Sequence, residues 1–376
     1  MRNIKIIFRL FSFLAVFLLI YSFGCTEKKE IQEIKIGWIG PLSGEYASYG
    51  KMVKIGTDIA LEEINAAGGI NGKKLVVIYE DDQLDPKKGV AAFDKMVSIN
   101  KVPVVIQAAG SNVMLAEAPS AERNKVVLIS PTCTSPKITE AGDYVFRIAP
   151  SDTFQGKVIA EIAVNNLKAK KVAILYINND YGVGLKDVFV SNLKELGGEV
   201  ALAEGFDPKT KDFRTPLSKI RKSAPDVIFL SSLYQEAALI LKQAKEMGIK
   251  SKFIGGDGCF APELISRAGD AAEGMMVINM HWDPNNEDSL VKGFVQKVKQ
   301  RLGKDPEVYA ALGYDCMNVV ADAIKRGGTS SDGIKQALYT TKAYPGLTGP
   351  TTFDKNGDVL KQYDLFVVKN GSFVRN

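Results

Sequence analysis

The chain is 376 residues long, 46% hydrophobic and 24% charged, which is ordinary globular composition with length enough for two sizeable cores. Its 48 Lys and Arg against 43 Asp and Glu leave a small positive excess, and three of those bases, Arg2, Lys5 and Arg9, fall in the first ten residues. Without them the balance is nearly neutral, which excludes the electrostatic footprint of a nucleic-acid binder.

The N-terminal bases precede an apolar run from Leu10 to Phe23, then "FGC", then the polar "TEKKE". The run is short for a membrane span and suits the apolar region of a secretory signal. Residues 1–24 are expected to be a signal peptide. Cys25 is expected to be the lipid-modified mature N-terminus and 25–33 a charged, lipid-anchored tether. A plain cleaved signal competes with this reading, since Ser22 stands where an aliphatic residue usually precedes such a cysteine. A single acyl chain holds weakly, so stable attachment needs several. Cys133, Cys259 and Cys316 are scattered and lack C-x-x-C spacing, so they read as small buried hydrophobes rather than a metal site. One disulfide among them stays open.

From residue 34 strand and helix patterns alternate. "IKIGWIG", "KLVVIYEDD", "VPVVIQAAG" and "VVLISP" read as buried strands. Between them a helix runs from Met52 to Ala66, with Val53, Gly56, Ile59, Ala60 and Ile64 on one face. A second starts at "DPKKG", where Asp85 caps and Pro86 takes the first helical position. A third covers Val113 to Arg123, with Pro119 predicting a kink or two short pieces. The series then restarts: "KKVAILYIN", "EVALAEGF", "DVIFLSS" and "KFIGGDG" are strand-like, separated by helical patterns at Leu185–Leu196, Pro216–Lys222 and Glu236–Met247. Two such runs predict an α/β protein of two doubly wound parallel-sheet lobes. Three helices near Leu290–Leu302, Tyr309–Arg326 and Ile334–Thr340 would cover an existing sheet. "GPTTFD" and "YDLFVV" read as final strands flanking a hairpin turn at "KNGD".

In open parallel sheets a ligand sits beyond the carboxyl ends of the strands. The loops there are "PLSGEYASYGK", "AAGSNV" and "SPTCTSP" in lobe one, and "NNDYGVG", "SSLYQEA" and "GGDGCF" in lobe two. Both lobes offer hydroxyls, aromatics and backbone amides, so the two edges make a polar cleft when they face each other. Ser111 and Asn112 open a helix whose amides suit a carboxylate, and Thr134 converges from the next loop. Asp257, flanked by glycines, suits an ammonium. Tyr49 and Tyr181 would cover the ligand. Bland readings compete for each: a helix N-cap for Ser111, ordinary turns for Thr132, Thr134 and Asp257, local packing for the tyrosines.

"IKIGWIGPLSGEYASYG", "EINAAGGINGKKLVVIYEDDQLDPKKGV", "ISPTCTSPKIT", "YGVGLKD", "DFRTPLSKI" and "QAKEMGI", in this order, give the chain a close resemblance to a known family. It resembles the branched-chain amino-acid (Leu/Ile/Val-binding-protein-like) type of periplasmic binding proteins, the type I solute receptors of ABC importers, over essentially the whole mature length. The resemblance implies three crossings between lobes, placed near Pro150–Asp152, Met280–Asp283 and Gly357–Leu360. Lobe 1 is then 34–151 and 283–357; lobe 2 is 152–282 and 358–376. By position it implies ligand contacts at Tyr49, Ser111, Thr132, Thr134, Tyr181 and Asp257, the last pairing with the ligand ammonium. Two departures stand out. Leu84 and Gly110 occupy the positions of a family disulfide, and Leu233, beside Tyr234, replaces a Tyr.

Enzyme readings are weak. His281 is the sole histidine and sits at a predicted crossing, and there is no P-loop. "GVGLKD" has Asp187 where a third dinucleotide-fold glycine belongs, and "DKNGD" reads as a turn rather than a calcium loop. The expectation is an exported, lipid-anchored, monomeric receptor without metal, cofactor or catalysis. It would pass an amino acid to a membrane permease by hinge closure. The alternative is a sensor-type protein binding an amide, urea or aromatic carboxylate.

Overall fold

The computed structural model describes residues 33–376. The expected signal peptide, Cys25 and nearly all of the tether lie outside the described residues. The first series comprises β1 (Glu33–Gly40), α1 (Ala47–Ala66), β2 (Lys74–Asp81), α2 (Pro86–Lys95), β3 (Val104–Gln107), α3 (Ser111–Asn124), β4 (Val127–Ser130) and β5 (Val145–Arg147). They form a five-stranded sheet in the order β2-β1-β3-β4-β5. Every residue of β3, β4 and β5 is buried, as strands covered on both faces require.

The second series comprises α4 (Asp152–Glu161), β6 (Lys171–Ile177), α5 (Asp180–Glu195), β7 (Glu199–Phe206), α6 (Arg214–Ser223), β8 (Val227–Ser231), α7 (Tyr234–Glu246), β9 (Lys252–Gly255), α8 (Pro262–Ala268) and β10 (Met276–Met280). After α9 (Ser289–Leu302), α10 (Val308–Gly327) and α11 (Ser331–Tyr339), the chain adds β11 (Tyr363–Lys369) and β12 (Ser372–Arg375). The second sheet runs β12-β11-β10-β9-β8-β6-β7. Its parallel part, β7-β6-β8-β9-β10, repeats the order of the first sheet, and β11 and β12 extend it antiparallel. In each sheet the strand order reverses between the first and third strands, which is where a crevice opens at the carboxyl ends.

The helical insert covers the first sheet. In α10 and α1 the backbones touch: a side chain at Gly56 would collide with the carbonyl of Ala310, and one at Gly313 with that of Val53. Two helices approach this closely only where neither carries a Cβ at the crossing. From α11, Lys335 reaches Asp143 (2.7 Å) and Ser331 reaches the Pro103 carbonyl (2.9 Å).

Several local expectations need correction. "GPTTFD" is not a strand: among its residues Thr351 makes only an isolated bridge to Tyr344. "KNGD" does turn, but around the Asp354 carboxylate, which accepts from Asn356 N (2.8 Å) and Asp358 N (3.0 Å). The hairpin is at Asn370–Gly371, where φ is +51° and +71°, the double positive φ of a tight two-residue turn. Pro119 lies inside an unbroken α3, held along the sheet by buried Val113, Met114, Ala118 and Ala121. The strands β5 and β10 and the helices α4 and α8 carry no signal that separated them from their neighbours. Asp85 caps α2 as expected, accepting from Lys87 N and Lys88 N. Cys133, Cys259 and Cys316 are buried free thiols.

The close helix crossing gives a contrast of sign. Gly56→Val should destabilise the fold by about 2–3 kcal/mol or more, because rigid backbone has to move. Gly293→Ala on α9, where a Cβ meets nothing within 4 Å, should stabilise by about 0.5–1 kcal/mol. Denaturant unfolding of both variants measures this; a neutral Gly56→Val would mean that the crossing is not tight.

Candidate functional site

Where the carboxyl ends of the two sheets face each other, the structure has a cavity of about 50 Å³. On the scale where one water needs roughly 10–15 Å³, this has room for a handful of small groups. Tyr49, Ser111, Asn112, Thr132 and Thr134 line it from the first series, and Tyr181, Leu233 and Asp257 from the second. Tyr234, the remaining expected residue, is not on the wall. It packs edge-on against Tyr49 (5.0 Å between centroids), and its hydroxyl donates to the Glu45 carbonyl (2.7 Å). Leu84, Asn179 and Tyr309 line the cavity in addition.

The first wall is a helix start and a pinned loop. Gly110, at φ +96°, turns the chain so that Ser111 and Asn112 begin α3 at the cavity. The first amides of a helix have no partner within it, so this wall is rich in donors. The Ser111 hydroxyl accepts from Thr134 N and Ser135 N (3.2 Å each), locking the hydroxyl-rich loop onto the helix start. Thr132 Oγ1 donates to the Ala108 carbonyl (2.7 Å) and Thr134 Oγ1 to Asp152 (3.0 Å). The Thr134 hydroxyl and amide are therefore both engaged within the protein.

Behind the loop lies Arg147, a fully buried side chain. Its Nε and Nη2 hold Asp358 (2.7 and 2.8 Å), Nη1 donates to the Thr134 and Ser135 carbonyls (3.0 and 2.9 Å), and Nη2 also donates to Thr139 (2.6 Å). A guanidinium has five N–H donors, so all are used.

The second wall is acidic. Asp257 accepts from the Tyr181 hydroxyl (2.9 Å), that hydroxyl accepts from Gly258 N (3.0 Å), and Asp257 N donates to Gln155 (3.1 Å). Burial raises the Asp257 carboxyl above its ordinary range, and the bonds from Tyr181 and Gln155 oppose the shift. Asp152 is raised further, by burial and then by the Asp257 charge, and its Oδ1 has no hydrogen-bond partner among the described residues. The buried Asp257 carboxyl thus lies at a cavity with no Lys or Arg on its wall among the described residues. Among the described residues no group of three or more His, Cys, Asp or Glu is placed to hold a metal. His281 lies elsewhere, against Asp364 (3.0 Å).

Contacts between the series close the cavity. Tyr46 reaches Glu236 and Ser48 reaches Glu263 (2.5 Å each), and Tyr49 bonds the Gly258 carbonyl. Tyr309, at the start of α10, bonds the Asp257 carbonyl (2.7 Å). Sequence reasoning missed Tyr309, Asn179, Arg147 and Asp152. A lone arginine inside the apolar "YVFRIA" was a usable signal for a buried ion pair, and Asn179 had the spacing of an N-cap. Asp152 looked like an acidic residue in a helix's first turn, and Tyr309 like one more core aromatic.

Arg147→Met should cost about 3–5 kcal/mol of stability, because it leaves the largely buried Asp358 charge without its cation and removes one donor from each of two loop carbonyls. Adding Asp358→Leu should recover part of the loss. Urea unfolding of the two variants measures both effects; a single variant as stable as wild type would remove the clamp from consideration.

A family model described as periplasmic binding protein matches residues 33–372. A Leu/Ile/Val-binding protein homolog of Brucella abortus is 34% identical over 345 residues, covering 90% of this chain and 91% of the relative. The structure also superposes on a leucine binding protein, LivK, from Thermotoga maritima, with TM-score 0.87 and 34% identity over 91% of this chain and 97% of that one. A branched-chain amino acid transporter substrate binding protein, LivJ, from Streptococcus pneumoniae in complex with isoleucine gives TM-score 0.84 and 32% identity, over 92% of this chain and 100% of that one. With both sheets inside the family match and relatives above 30% identity across nine-tenths of its length, the chain belongs to the periplasmic binding protein family, in the type represented by the Leu/Ile/Val-binding protein homologs.

Proposed function

We propose that this protein is an extracytoplasmic receptor that takes an amino acid, branched-chain or similar, into the cavity and delivers it to the permease of an ABC importer. One observation carries the reading: buried Asp257 and the amide-rich start of α3 line the same small cavity from the two sheet series. A zwitterion has the matching poles, since the ammonium meets a carboxylate and the carboxylate meets N–H donors. In this reading Ser111 and Asn112 take the carboxylate end, Asp257 and the Thr132 carbonyl take the ammonium, Thr134 holds the loop in place through its bonds to Ser111 and Asp152, and Tyr49, Tyr181 and Leu233 surround the remainder. Leu84 and Tyr309 add apolar surface for a side chain. The names of the relatives, and the isoleucine bound in one of them, favour the branched-chain class. An amide, urea or aromatic carboxylate would leave Asp257 without a cation, so the sensor-type alternative is not favoured. Binding involves no covalent chemistry.

The lobes in this reading are 34–151 with 283–357, and 152–282 with 358–376. They hinge at the three crossings, and the contacts from Tyr46, Ser48 and Tyr49 describe the closed form. The protein works outside the cytoplasm as a monomer, held to the membrane through Cys25. Fatty-acid labelling tests the anchor: label should enter the wild-type chain and be lost in Cys25→Ala, and an unlabelled wild type would refute it.

Calorimetric titration with leucine, isoleucine and valine tests the ligand. Asp257→Ala should weaken the best of them by roughly 2–5 kcal/mol, about 30-fold to several thousand-fold, with small-angle scattering showing compaction on binding in the wild type. Binding within threefold of wild type would sink the ammonium role of Asp257. The pH dependence has a definite sign. The empty site holds Asp257 raised, and an ammonium favours its ionised form, so binding releases a proton where the empty site is protonated. Affinity should therefore fall as pH drops through that raised value and level off above it.

A further inference from the structure

A second cavity, of about 460 Å³, lies away from the cleft, on the face of the second sheet near β10 and β11. Its apolar wall is aromatic: Phe260 stacks on Phe373 (4.4 Å, 23° between planes) and tilts against Phe366 (4.8 Å). Trp282 closes one end, its indole N–H already donated to the Pro306 carbonyl (3.0 Å). Flat walls of this kind stack on a flat guest.

The cavity also holds one unmet polar group. Asn279 on β10 is fully buried; its Oδ1 accepts from Met280 N (2.8 Å), but its Nδ2 has no hydrogen-bond partner among the described residues. The strand register fixes its direction. Val277 pairs with Phe366 and Asn279 with Asp364, so Asn279 shares the sheet face that carries Phe366 and points its amide toward the aromatic wall. A buried amide donor without an acceptor is a defect that a ligand oxygen repairs.

Charge narrows the ligand. No Lys or Arg lines the cavity, while Asp305 and Glu307 do, which disfavours an anion. Both acids already have partners, Lys299 and Lys304 (2.8 Å each), which leaves no free charge for a cation. We propose that this cavity is a second ligand site, taking a neutral aromatic molecule whose carbonyl oxygen accepts a hydrogen bond from the Asn279 amide. The site is independent of the cleft and of the identity of the amino acid bound there.

Benzamide is the probe, and the protein carries its own reporter. Of the two tryptophans, Trp38 is buried in the first lobe and Trp282 lines the cavity. Titration of the purified full chain with benzamide should change tryptophan fluorescence saturably, and the change should survive Trp38→Phe. Asn279→Leu should weaken benzamide by about tenfold or more, and leucine binding in the cleft, unchanged, would show that the variant is folded. Phe373→Ala, on the edge strand, gives the same reading where Asn279→Leu does not fold. The proposal is overturned by the absence of a saturable change up to the solubility limit. It is equally overturned by undiminished affinity in a folded variant, or by benzoate binding as tightly as benzamide.

Discussion

The site depends on one buried arginine. Arg147 sits on β5, the last strand of the first sheet, and reaches forward to the loop that follows β4. By holding two consecutive carbonyls of that loop and both oxygens of Asp358, it ties the first cavity wall to the segment where the chain approaches β11. Its own backbone N–H joins the same segment through the Gly357 carbonyl (3.1 Å). A loop with five hydroxyl side chains and two prolines could adopt several local hydrogen-bond arrangements. The planar fork of the guanidinium selects one. The ordering cost of the wall is then met in folding rather than at each binding event, which is the condition for tight recognition of a small polar ligand.

The opposite wall is held under electrostatic tension that the first is not. The Asp257 charge raises Asp152, in surroundings where burial alone already disfavours the charged form of each. The contacts that close the cavity are weak by comparison. Lys211–Glu45 and Lys137–Asp180 are exposed ion pairs of the sort that contribute about 0–1 kcal/mol each. The buried hydroxyl contacts of Tyr46 and Tyr49 carry more weight, yet each replaces a bond to water. The contacts across the cavity are thus small terms beside the burial of Asp257.

Much of this was legible in the sequence. The buried strands, the duplicated series and the polar strand-end loops follow from local pattern, and eight of nine expected site residues do line the cavity. They were readable because strand ends in parallel sheets concentrate function in short loops next to unmistakable apolar runs. What was illegible depends on distant partners. The apolar "YVFRIA" hints that Arg147 is buried, but nothing local names its partner, Asp358, which is 211 residues away. Tyr234 shares a loop with Leu233 but turns into α7, so helix phase, not proximity in sequence, keeps it off the wall. The misplaced hairpin has the same origin. Two Asn-Gly pairs occur near the C-terminus, and only the one between strands with a sheet edge to join, β11 and β12, forms the turn.

Tyr309 shows why the cavity needs the whole chain. It stands on the first turn of α10, whose length packs on α1 through the glycine contacts of Gly56 and Gly313. Those contacts set the depth at which α10 lies, and so the reach of Tyr309 toward Asp257 and its edge-on approach to Tyr49 (5.5 Å). Tyr49 in turn bonds the loop that carries Asp257. A segment from each sheet series and one from the later helices therefore meet at a single loop, Asp257–Gly258. A change in helix packing far from the cavity therefore moves one of its walls.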